Sequence, residues 1–473
     1  MTSSCKQQPR RGFDNLAAKR LGLAVLVACS LSATAGSYTV TNTSGSRNTT
    51  NSLPWALQQA NYFSAGFDRI FFNIPGASSD APVTISLDDT LYINEQVAID
   101  ATTQPGYIGG NGDDGLNFPA VILDARGLPS AVYFQYGEVS TLAGVGIINY
   151  TSNGITIGPN SEANWIRDNF LGAISRDSGA SYELNYAPPY NRIGTRGIGI
   201  ASSRNVLLRN LISGNDNAVT IGDDIATTQS EELRYRTNAL QSNYIGTDAT
   251  GMSRLGNTSD GLFLGAGAGE TWIGPENIFS GNDSAGIELL HPSNYGNVIF
   301  ANHIGVDREG DAVIGNGEVG VLISNGANYN AVGGSWGGNI ISGNELGGVV
   351  VGLSAPSPDT DGFSRLIWVQ NNLIGTDRTA TVPLGRQDVG VSIEGGSSDV
   401  AVERNVIGGN NTHGVQCYNS QGNSISYNWI GLNYLGGPLP NSLGFGIFLS
   451  NCPNNWTLGN AFGESGLGPV GRQ

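Results

Sequence analysis

The side chains best suited to acid–base chemistry lie in three segments of the central part of the chain. They are Asp223, Asp224, Glu231, Glu232, Arg234, Tyr235 and Arg236 within 222–237, then His291 and Tyr295, then Asp359, Asp361 and Arg365 within 353–365. Two carboxyl groups with a histidine and an arginine can supply the acid and base of a hydrolysis, or a metal-assisted lyase reaction. The alternative is that these are solvated loop residues of an acidic protein.

A second set of acidic residues recurs at intervals along the chain, each two to four residues before the first apolar residue of a short glycine-led segment. The set comprises Asp216, Asp260, Asp283, Glu318, Glu345 and Asp388, and His413 takes the seventh place. If the segments stack as strands, neighbouring carboxylates lie roughly 5 Å apart. Calcium prefers several oxygen ligands, so Asp216, Asp260, Asp283 and Glu318 are candidate calcium ligands. The alternative is a solvated acidic edge that discourages aggregation.

Aromatic side chains form a third candidate group, suited to stacking on sugar rings. Tyr244, His303 and Trp429 each follow a recurring asparagine, and Phe263 lies within a glycine-led segment. We take these four as candidate substrate-binding residues. The alternative for the first three is that a folded-back loop covers them.

Two alternating motifs must position all of these residues. The first motif is NLISGN at Asn210, NIFSGN at Asn277, NIISGN at Asn339 and NVIGGN at Asn405; the second is NYIGTD at Asn243, NHIGVD at Asn302, NLIGTD at Asn372 and NWIGLN at Asn428. Their leading asparagines are 33, 34, 25, 37, 33, 33 and 23 residues apart. A unit of about 23 residues with variable loops fits neither a propeller blade nor a hexapeptide repeat.

Each interval also contains a glycine-led strand, such as Gly286-Ile-Glu-Leu or Gly320-Val-Leu-Ile. Short strands separated by Asn/Gly corners are typical of coils that stack in parallel and bury a continuous apolar column. Two residues after each leading asparagine stands a large apolar residue: Ile212, Ile245, Phe279, Ile304, Ile341, Ile374, Ile407 or Ile430. We predict that these residues form one interior column, and that the asparagines form a second column that hydrogen-bonds from rung to rung.

From Gly36 onward, the sequence resembles bacterial right-handed parallel β-helix proteins of the pectin-lyase-like superfamily. The resemblance implies an all-β solenoid. Residues 52–61 add an N-terminal capping helix, with Ser52 as its cap and Leu53, Ala56, Leu57 and Ala60 on one face. The predicted domains are a signal peptide at 1–35, a cap with first coils at 36–135, and β-helix repeats at 136–473.

The resemblance also implies where a site would lie, because superfamily enzymes that act on polysaccharides use the outside of the glycine-led strands and the adjoining loops. The outward positions here would be Thr220, Phe263, Glu288, Leu322, Val350, Ser392, Gln416 and Phe448. The candidate catalytic residues are therefore Glu288, Asp223, Asp224, His291 and Arg234. We expect Glu288 and Asp224 to be exposed, so that neutralising them leaves thermal stability unchanged. Asp223-Asp224 is similar to the double aspartate of polygalacturonases, but the Gly-His-Gly motif of that family is absent.

The first 35 residues indicate export. Basic residues precede the apolar run 21–28, and Ala33-Thr34-Ala35 forms a cleavage site; lipidation of Cys29 is the alternative. Removing 1–35 takes away five basic residues and one acid, which changes the formal net charge from −16 to −20. Such a surface argues against nucleic acid, anionic membranes and unbridged acidic polysaccharides. No later stretch is apolar enough to span a membrane.

Cys417 and Cys452 are the cysteines that follow residue 35. The repeat alignment offsets them by three residues, roughly 10 Å along extended strands, so we predict that they do not form a disulfide.

We interpret the sequence as a secreted, periplasmic or cell-surface β-helix that binds a polysaccharide or cell-surface glycan. If it is an enzyme, it is a lyase or glycoside hydrolase. The competing class is a non-catalytic surface adhesin or structural scaffold.

Overall fold

The computed structural model describes residues 35–63, 66–108, 116–172, 195–222, 235–352 and 363–473. Residues 1–34 of the predicted signal peptide, including Cys29, therefore lie outside the described residues. The described part of the chain contains no helix with the length and hydrophobicity of a membrane-spanning segment. Within it, the chain is a right-handed parallel β-helix, as predicted, with one sheet on each of three sides.

Three long parallel sheets run along the solenoid, and from Asp68 onward every coil contributes one strand to each. The 14 strands of sheet 1 are Ser37–Val40, Asp68–Phe72, Val97–Asp100, Thr141–Ala143, Trp165–Arg167, Val206–Leu208, Ala239–Gln241, Trp272–Ile273, Val298–Ile299, Ala331–Gly333, Trp368–Gln370, Ala401–Glu403, Ser424–Ser426 and Trp456–Leu458. The 13 strands of sheet 2 are Val83–Ser86, Val121–Asp124, Val145–Ile148, Phe170–Gly172, Leu211–Ser213, Tyr244–Ile245, Ile278–Phe279, His303–Ile304, Ile340–Ile341, Leu373–Ile374, Val406–Ile407, Trp429–Ile430 and Ala461–Phe462.

Sheet 3 contains the glycine-led strands. Its 13 strands are Leu91–Ile93, Ser130–Phe134, Asn153–Ile157, Arg196–Ile200, Asn217–Ile221, Leu262–Leu264, Ile287–Leu289, Val319–Ile323, Gly347–Val351, Val389–Ile393, Val415–Tyr418, Phe445–Ser450 and Gly468–Arg472. A small fourth sheet pairs Tyr235–Arg236 with Ala268–Gly269. A short 3₁₀ helix, Ala101–Thr103, follows an early strand of sheet 1.

The corner between sheets 1 and 2 is built by the leading asparagines. In most coils, the residue before the asparagine has the left-handed conformation; examples are Arg209, Ser242 and Ala301. This left-handed residue turns the chain sharply. The asparagine side chains then bridge successive coils: Asn302 donates its Nδ2 to the Oδ1 of Asn339 at 3.1 Å, and Asn339 does the same to Asn372 at 2.9 Å. The predicted asparagine column is confirmed.

The predicted interior column is also confirmed, since Ile212, Ile245, Phe279, Ile304, Ile341, Ile374, Ile407 and Ile430 are all fully buried. Burying one such side chain contributes about 1.5–3 kcal/mol. The glycines that open sheet 3 make room for this column. A Cβ on Gly320 would lie 2.6 Å from the Gly348 carbonyl oxygen and 2.7 Å from the Ile341 side chain. Glycine is thus required because the backbone passes close to its neighbours.

The α-helix Leu53–Phe63 lies where the sequence places it. Ser52 Oγ accepts a hydrogen bond from the Trp55 amide at 3.2 Å, which makes it the predicted helix cap. Leu53, Ala56, Leu57 and Ala60 are buried and belong to the main core, as the spacing predicted.

The prediction for the two cysteines is wrong, because Cys417 and Cys452 form a disulfide with a Cα–Cα distance of 6.3 Å. Cys417 is in register with Leu449, as the alignment required. However, the strand ends at Ser450 and the left-handed residue Asn451 turns the chain. The three residues after Leu449 therefore bend around a corner instead of extending along a strand, which keeps Cys452 within reach of Cys417.

Candidate functional site

One row of side chains runs along the outside of sheet 3. Strand register places each predicted outward residue opposite the next one, in the order Thr220, Phe263, Glu288, Leu322, Val350, Ser392, Gln416 and Phe448. We call this set the outer row. Thr220 and Ser392 are buried, whereas the other six are partly exposed. The outer row thus presents a surface that changes along its length from charged to apolar to polar and aromatic.

The charged part of the outer row is a pair of carboxyl groups. Glu288 is hydrogen-bonded to Asp260, which precedes the neighbouring strand and is only 4% exposed. The Ala285 amide donates to Asp260 Oδ1 at 3.0 Å, while the Asp260 amide donates to Asn217 Oδ1 at 3.1 Å. Backbone contacts on both sides therefore hold Asp260 in place. Glu288 is partly buried rather than exposed, so the expectation that it is exposed is wrong.

Burial and mutual repulsion change the protonation of this pair. Burial raises the pKa of Glu288 to about 9, and the carboxyl of Asp260 and the charge of Glu318 add to the rise. Burial also raises the pKa of Asp260, although hydrogen bonds from Glu288 and the Ala285 amide offset part of this effect. Two close carboxyl groups resist double ionisation, so the pair keeps one shared proton at neutral pH.

The shared proton lies in the hydrogen bond between the two groups, so the pair carries a single negative charge and its remaining oxygens can accept hydrogen bonds. It also makes Glu288 a source of a proton for a leaving oxygen. Hydrogen-bonded carboxyl groups are closer than the separation of about 5–5.5 Å in retaining glycosidases, or 6.5–9.5 Å in inverting ones. Asp260 and Glu288 therefore behave as one acidic group, and a second catalytic carboxylate would have to come from elsewhere.

Within the described residues, no other candidate catalytic residue is in contact with this pair. Asp223, Asp224 and Arg234 lie outside the described residues. His291 is buried at the corner that follows the Glu288 strand, where its Nδ1 lies 2.7 Å from Ser293 Oγ and accepts from the Ser293 amide at 3.1 Å. These contacts give His291 a role in shaping that corner.

The candidate aromatic residues divide into two groups. Phe263 stands beside Glu288 in the outer row. Tyr244, His303 and Trp429 lie on the outside of sheet 2 and are half-buried. Short returning loops cross over the first two of them: a Cβ on Gly251 would lie 3.0 Å from the Tyr244 ring, and one on Gly310 would lie 3.7 Å from the His303 ring. His303 Nδ1 lies 3.0 Å from the Asp307 carbonyl oxygen, and burial lowers its pKa.

These loops explain the aspartate that closes the second motif, whose role the sequence analysis missed. The buried Asp307 accepts hydrogen bonds from the Asp311 and Ala312 amides at 2.9 and 3.2 Å. Asp377 accepts in the same way from Thr381 and Val382, each at 2.8 Å. The recurrence of aspartate at a fixed place after the glycine is the signal from which this loop-closing role could be inferred.

The acidic set that precedes the strands of sheet 3 does not form a single line. The inward apolar residues that follow these acids are in register from strand to strand. The acids stand two, three or four residues before those inward residues, so they occupy three different positions in their coils. Asp260 is buried, whereas Asp283 is exposed and paired with Arg254. Among the described residues, no three His, Cys, Asp or Glu side chains form a group able to hold a metal ion. Calcium binding by Asp216, Asp260, Asp283 and Glu318 stays a prediction.

Arg254 and Asp283 also border a shallow cleft of about 320 Å³, together with Gly214, Leu255, Gly256 and Thr258. The cleft opens beside the acidic set, and its two charged walls neutralise each other.

Farther along, the outer row carries a polar and aromatic cluster that the sequence analysis did not single out. Gln416 donates to Ser392 Oγ at 2.9 Å, and Ser392 donates to Glu394 Oε1 at 2.5 Å. The ring of His413 is stacked on Phe448 with a centroid distance of 4.8 Å. The outer row therefore has hydrogen-bonding groups and aromatic rings at both of its ends.

No protein-family model matches this chain, and no curated protein matches it in sequence. The A-module of the mannuronan C-5 epimerase AlgE4 of Azotobacter vinelandii is a similar solved structure, at 15% identity over 92% of this chain and 97% of that one, with a TM-score of 0.47. The surface adhesin PfbA of Streptococcus pneumoniae has 10% identity over 88% and 85% of the two chains, with a TM-score of 0.46.

An alginate lyase from a Paenibacillus species is a third similar structure, at 11% identity over 88% of this chain and 99% of that one, with a TM-score of 0.36. These identities are low, and the parallel β-helix is established by the strand register of this chain itself.

Proposed function

We propose that this protein is an exported β-helix that binds a polysaccharide along the outer row of sheet 3. The observation that carries the proposal is the buried Asp260–Glu288 pair, which opens onto that row beside Phe263. The free oxygens of a singly charged carboxyl pair can accept hydrogen bonds from sugar hydroxyl groups, and an adjacent ring can pack against the apolar face of a sugar. The signal peptide predicted in the first 35 residues supports a secreted, periplasmic or cell-surface location.

The charge of the protein favours an uncharged polysaccharide. The whole chain has a formal net charge of −16, and removing residues 1–35 would make it −20. A polyanionic glycan would be repelled unless a cation bridged it to the surface. The carboxyl pair itself keeps one proton and one negative charge at neutral pH, so it can accept hydrogen bonds from sugar hydroxyl groups.

Cleavage of the bound glycan is the stronger form of this proposal. Glu288 would donate its proton to the glycosidic oxygen, because burial keeps it protonated at neutral pH. The base or nucleophile would be a separate carboxylate, with Glu318, Asp223 and Asp224 as the candidates. The weaker form is binding alone, as in an adhesin or scaffold.

A panel of polysaccharides tests both forms. The protein without residues 1–35 is run in native gels that contain each polysaccharide, and products are followed by reducing ends and by the absorbance of unsaturated sugars. We expect Glu288→Gln and Phe263→Ala to weaken binding about tenfold, which corresponds to about 1.4 kcal/mol. Glu345→Gln is the matched control, because Glu345 is an exposed glutamate before another strand of the same sheet.

Binding that is equal in Glu288→Gln, Phe263→Ala and Glu345→Gln would overturn the site. Binding without products would reject cleavage and leave the adhesin or scaffold form.

A further inference from the structure

A group of aromatic side chains lies on the outside of sheet 1, on a different side of the solenoid from the outer row. The ring centroids of Trp272 and Trp336 are 5.3 Å apart. Those of Tyr295 and Tyr329 are 4.8 Å apart, and those of Tyr329 and Trp368 are 6.4 Å apart. We call these five residues the aromatic surface.

Strand register shows how the aromatic surface is laid out. Trp272, Val298, Ala331 and Trp368 stand opposite one another on four successive strands. The two tryptophans are therefore three strand spacings apart, about 14 Å. Between them lie the smaller side chains of Val298 and Ala331. This length is that of several consecutive sugar rings.

The loop that carries Trp336 is held over this sheet by its backbone. Gly334 and Gly337 adopt φ values of 119° and 133°, which only glycine adopts readily. Asn371 donates its Nδ2 to the Gly334 carbonyl oxygen at 3.1 Å. The side chain of Trp336 is thus placed against Trp272 by a loop with a defined conformation.

Three of the rings remain substantially exposed: Trp336 by 46%, Tyr295 by 40% and Tyr329 by 39%. Tryptophan and tyrosine combine an apolar ring with a polar group. Such side chains suit a surface that is solvent-exposed in the free protein and buried when a ligand binds. The corner that carries the tyrosines also carries charged residues. The Glu270 amide donates to the Tyr295 carbonyl oxygen at 2.8 Å, and the Tyr329 amide donates to the Arg365 carbonyl oxygen at 3.2 Å.

We infer that the aromatic surface is a second polysaccharide-binding site, for an uncharged chain of hexose rings. The apolar faces of sugar rings would pack on Trp336, Tyr329 and Tyr295, and their hydroxyl groups would reach the tyrosine hydroxyls and the charged corner. The negative net charge disfavours a polyanion here as well. The inference shares its class of ligand with the proposed function but none of its residues.

The test uses the protein without residues 1–35, with hydroxyethyl cellulose and galactomannan as uncharged probes and alginate and polygalacturonate as charged probes. Affinity is measured in native gels, and tryptophan emission is followed in solution. The variants are Trp336→Ala and Tyr329→Asn; asparagine is chosen because position 329 has a φ of 55°, which asparagine tolerates. Trp165→Ala is the matched control, since Trp165 is 43% exposed on the outside of the same sheet.

We expect both variants to bind an uncharged probe about tenfold more weakly, with the probe-dependent change in emission lost in Trp336→Ala. Trp165→Ala should bind as the unaltered protein does. Equal affinity in all three variants overturns the inference, and so does binding of the unaltered protein to the charged probes alone or to none.

Glu288→Gln separates the two sites. Loss of affinity in the aromatic variants with none in Glu288→Gln supports this inference and refutes the outer-row site. Loss of affinity in Glu288→Gln with none in the aromatic variants supports the outer-row site and refutes this inference.

Discussion

Two sets of recurring polar residues behave differently in this protein: the asparagines at the corner between sheets 1 and 2, and the acids that precede the strands of sheet 3. From Asn169 to Asn428 the asparagines occupy one position in each coil, are buried, and hydrogen-bond to the next coil at 2.9–3.2 Å. The acids shift by up to two residues from coil to coil, and most are exposed. Both sets recur along the sequence, but only the asparagines keep a fixed position within their motif.

The difference follows from what each set must satisfy. A buried amide without a partner is destabilising, so every asparagine must meet the next one at the spacing of the coils. An exposed carboxylate is satisfied by water wherever it stands, and its position can drift without penalty. Asp260 is the exception among these acids, because it is buried and hydrogen-bonded to Glu288.

The largest expected effect is in the asparagine column. Asn339 accepts from the Asn302 amide at 3.0 Å and donates to the Ile299 carbonyl oxygen at 2.9 Å. Asn339→Ala should lower the free energy of unfolding by about 2–4 kcal/mol, because it leaves buried groups unpaired. Urea unfolding followed by tryptophan fluorescence measures this, with the exposed Asn48→Ala as control. A loss below about 0.5 kcal/mol would show that water can replace the column.

An intermediate effect is expected for the carboxyl pair. The folded-state pKa of Glu288, about 9, lies above its usual value of 4.5, so the folded protein binds more protons than the unfolded chain between these values. Stability from this group is therefore fully present below pH 4.5 and is lost as the pH rises towards 9. The melting temperature should fall by a few degrees from pH 5 to 9, and Glu288→Gln should flatten this fall.

Thermal melts at several pH values measure this effect, and Glu345→Gln should keep the slope of the unaltered protein. If Glu288→Gln keeps that slope too, Glu288 does not hold the proton.

The smallest effect is expected for calcium binding by the acids that precede the strands of sheet 3. We predict that millimolar calcium raises the melting temperature more than sodium does at matched ionic strength, because calcium would link carboxylates that repel one another. Replacing both Asp260 and Asp283 by asparagine should reduce this gain. Equal effects of calcium and sodium would make the acids a solvated edge and nothing more.

Much of the fold could be predicted from residue spacing alone. The strand register of sheet 3 puts Thr220 to Phe448 in the order that the glycine-led strands indicate. The buried column from Ile212 to Ile430, the asparagine column and the capping helix also follow from local pattern. These features depend on a strict repeat, which each coil must obey if it is to stack on the next one.

The site was only partly predictable. Glu288 was identified as an outward residue, but its bond to Asp260 depends on how far a side chain at the corner turns inward, and spacing along the chain does not contain that information. Cys452 is a second case. The left-handed residue Asn451 bends the chain, so Cys452 lies closer to Cys417 than extended strand geometry predicts. Trp272 and Trp336 occupy different positions of their coils, so only folding shows that they meet.

Contacts between equivalent positions one repeat apart set the coil, its interior and its corners, so these features could be inferred from residue spacing. The tertiary structure alone decided which residues of different strands and loops meet: Asp260 with Glu288, Cys417 with Cys452, and Trp336 with Trp272. The physical reason is that burial and corner geometry act on single residues. A periodic pattern records what all coils share, whereas a binding or catalytic site is built from what distinguishes one coil from the next.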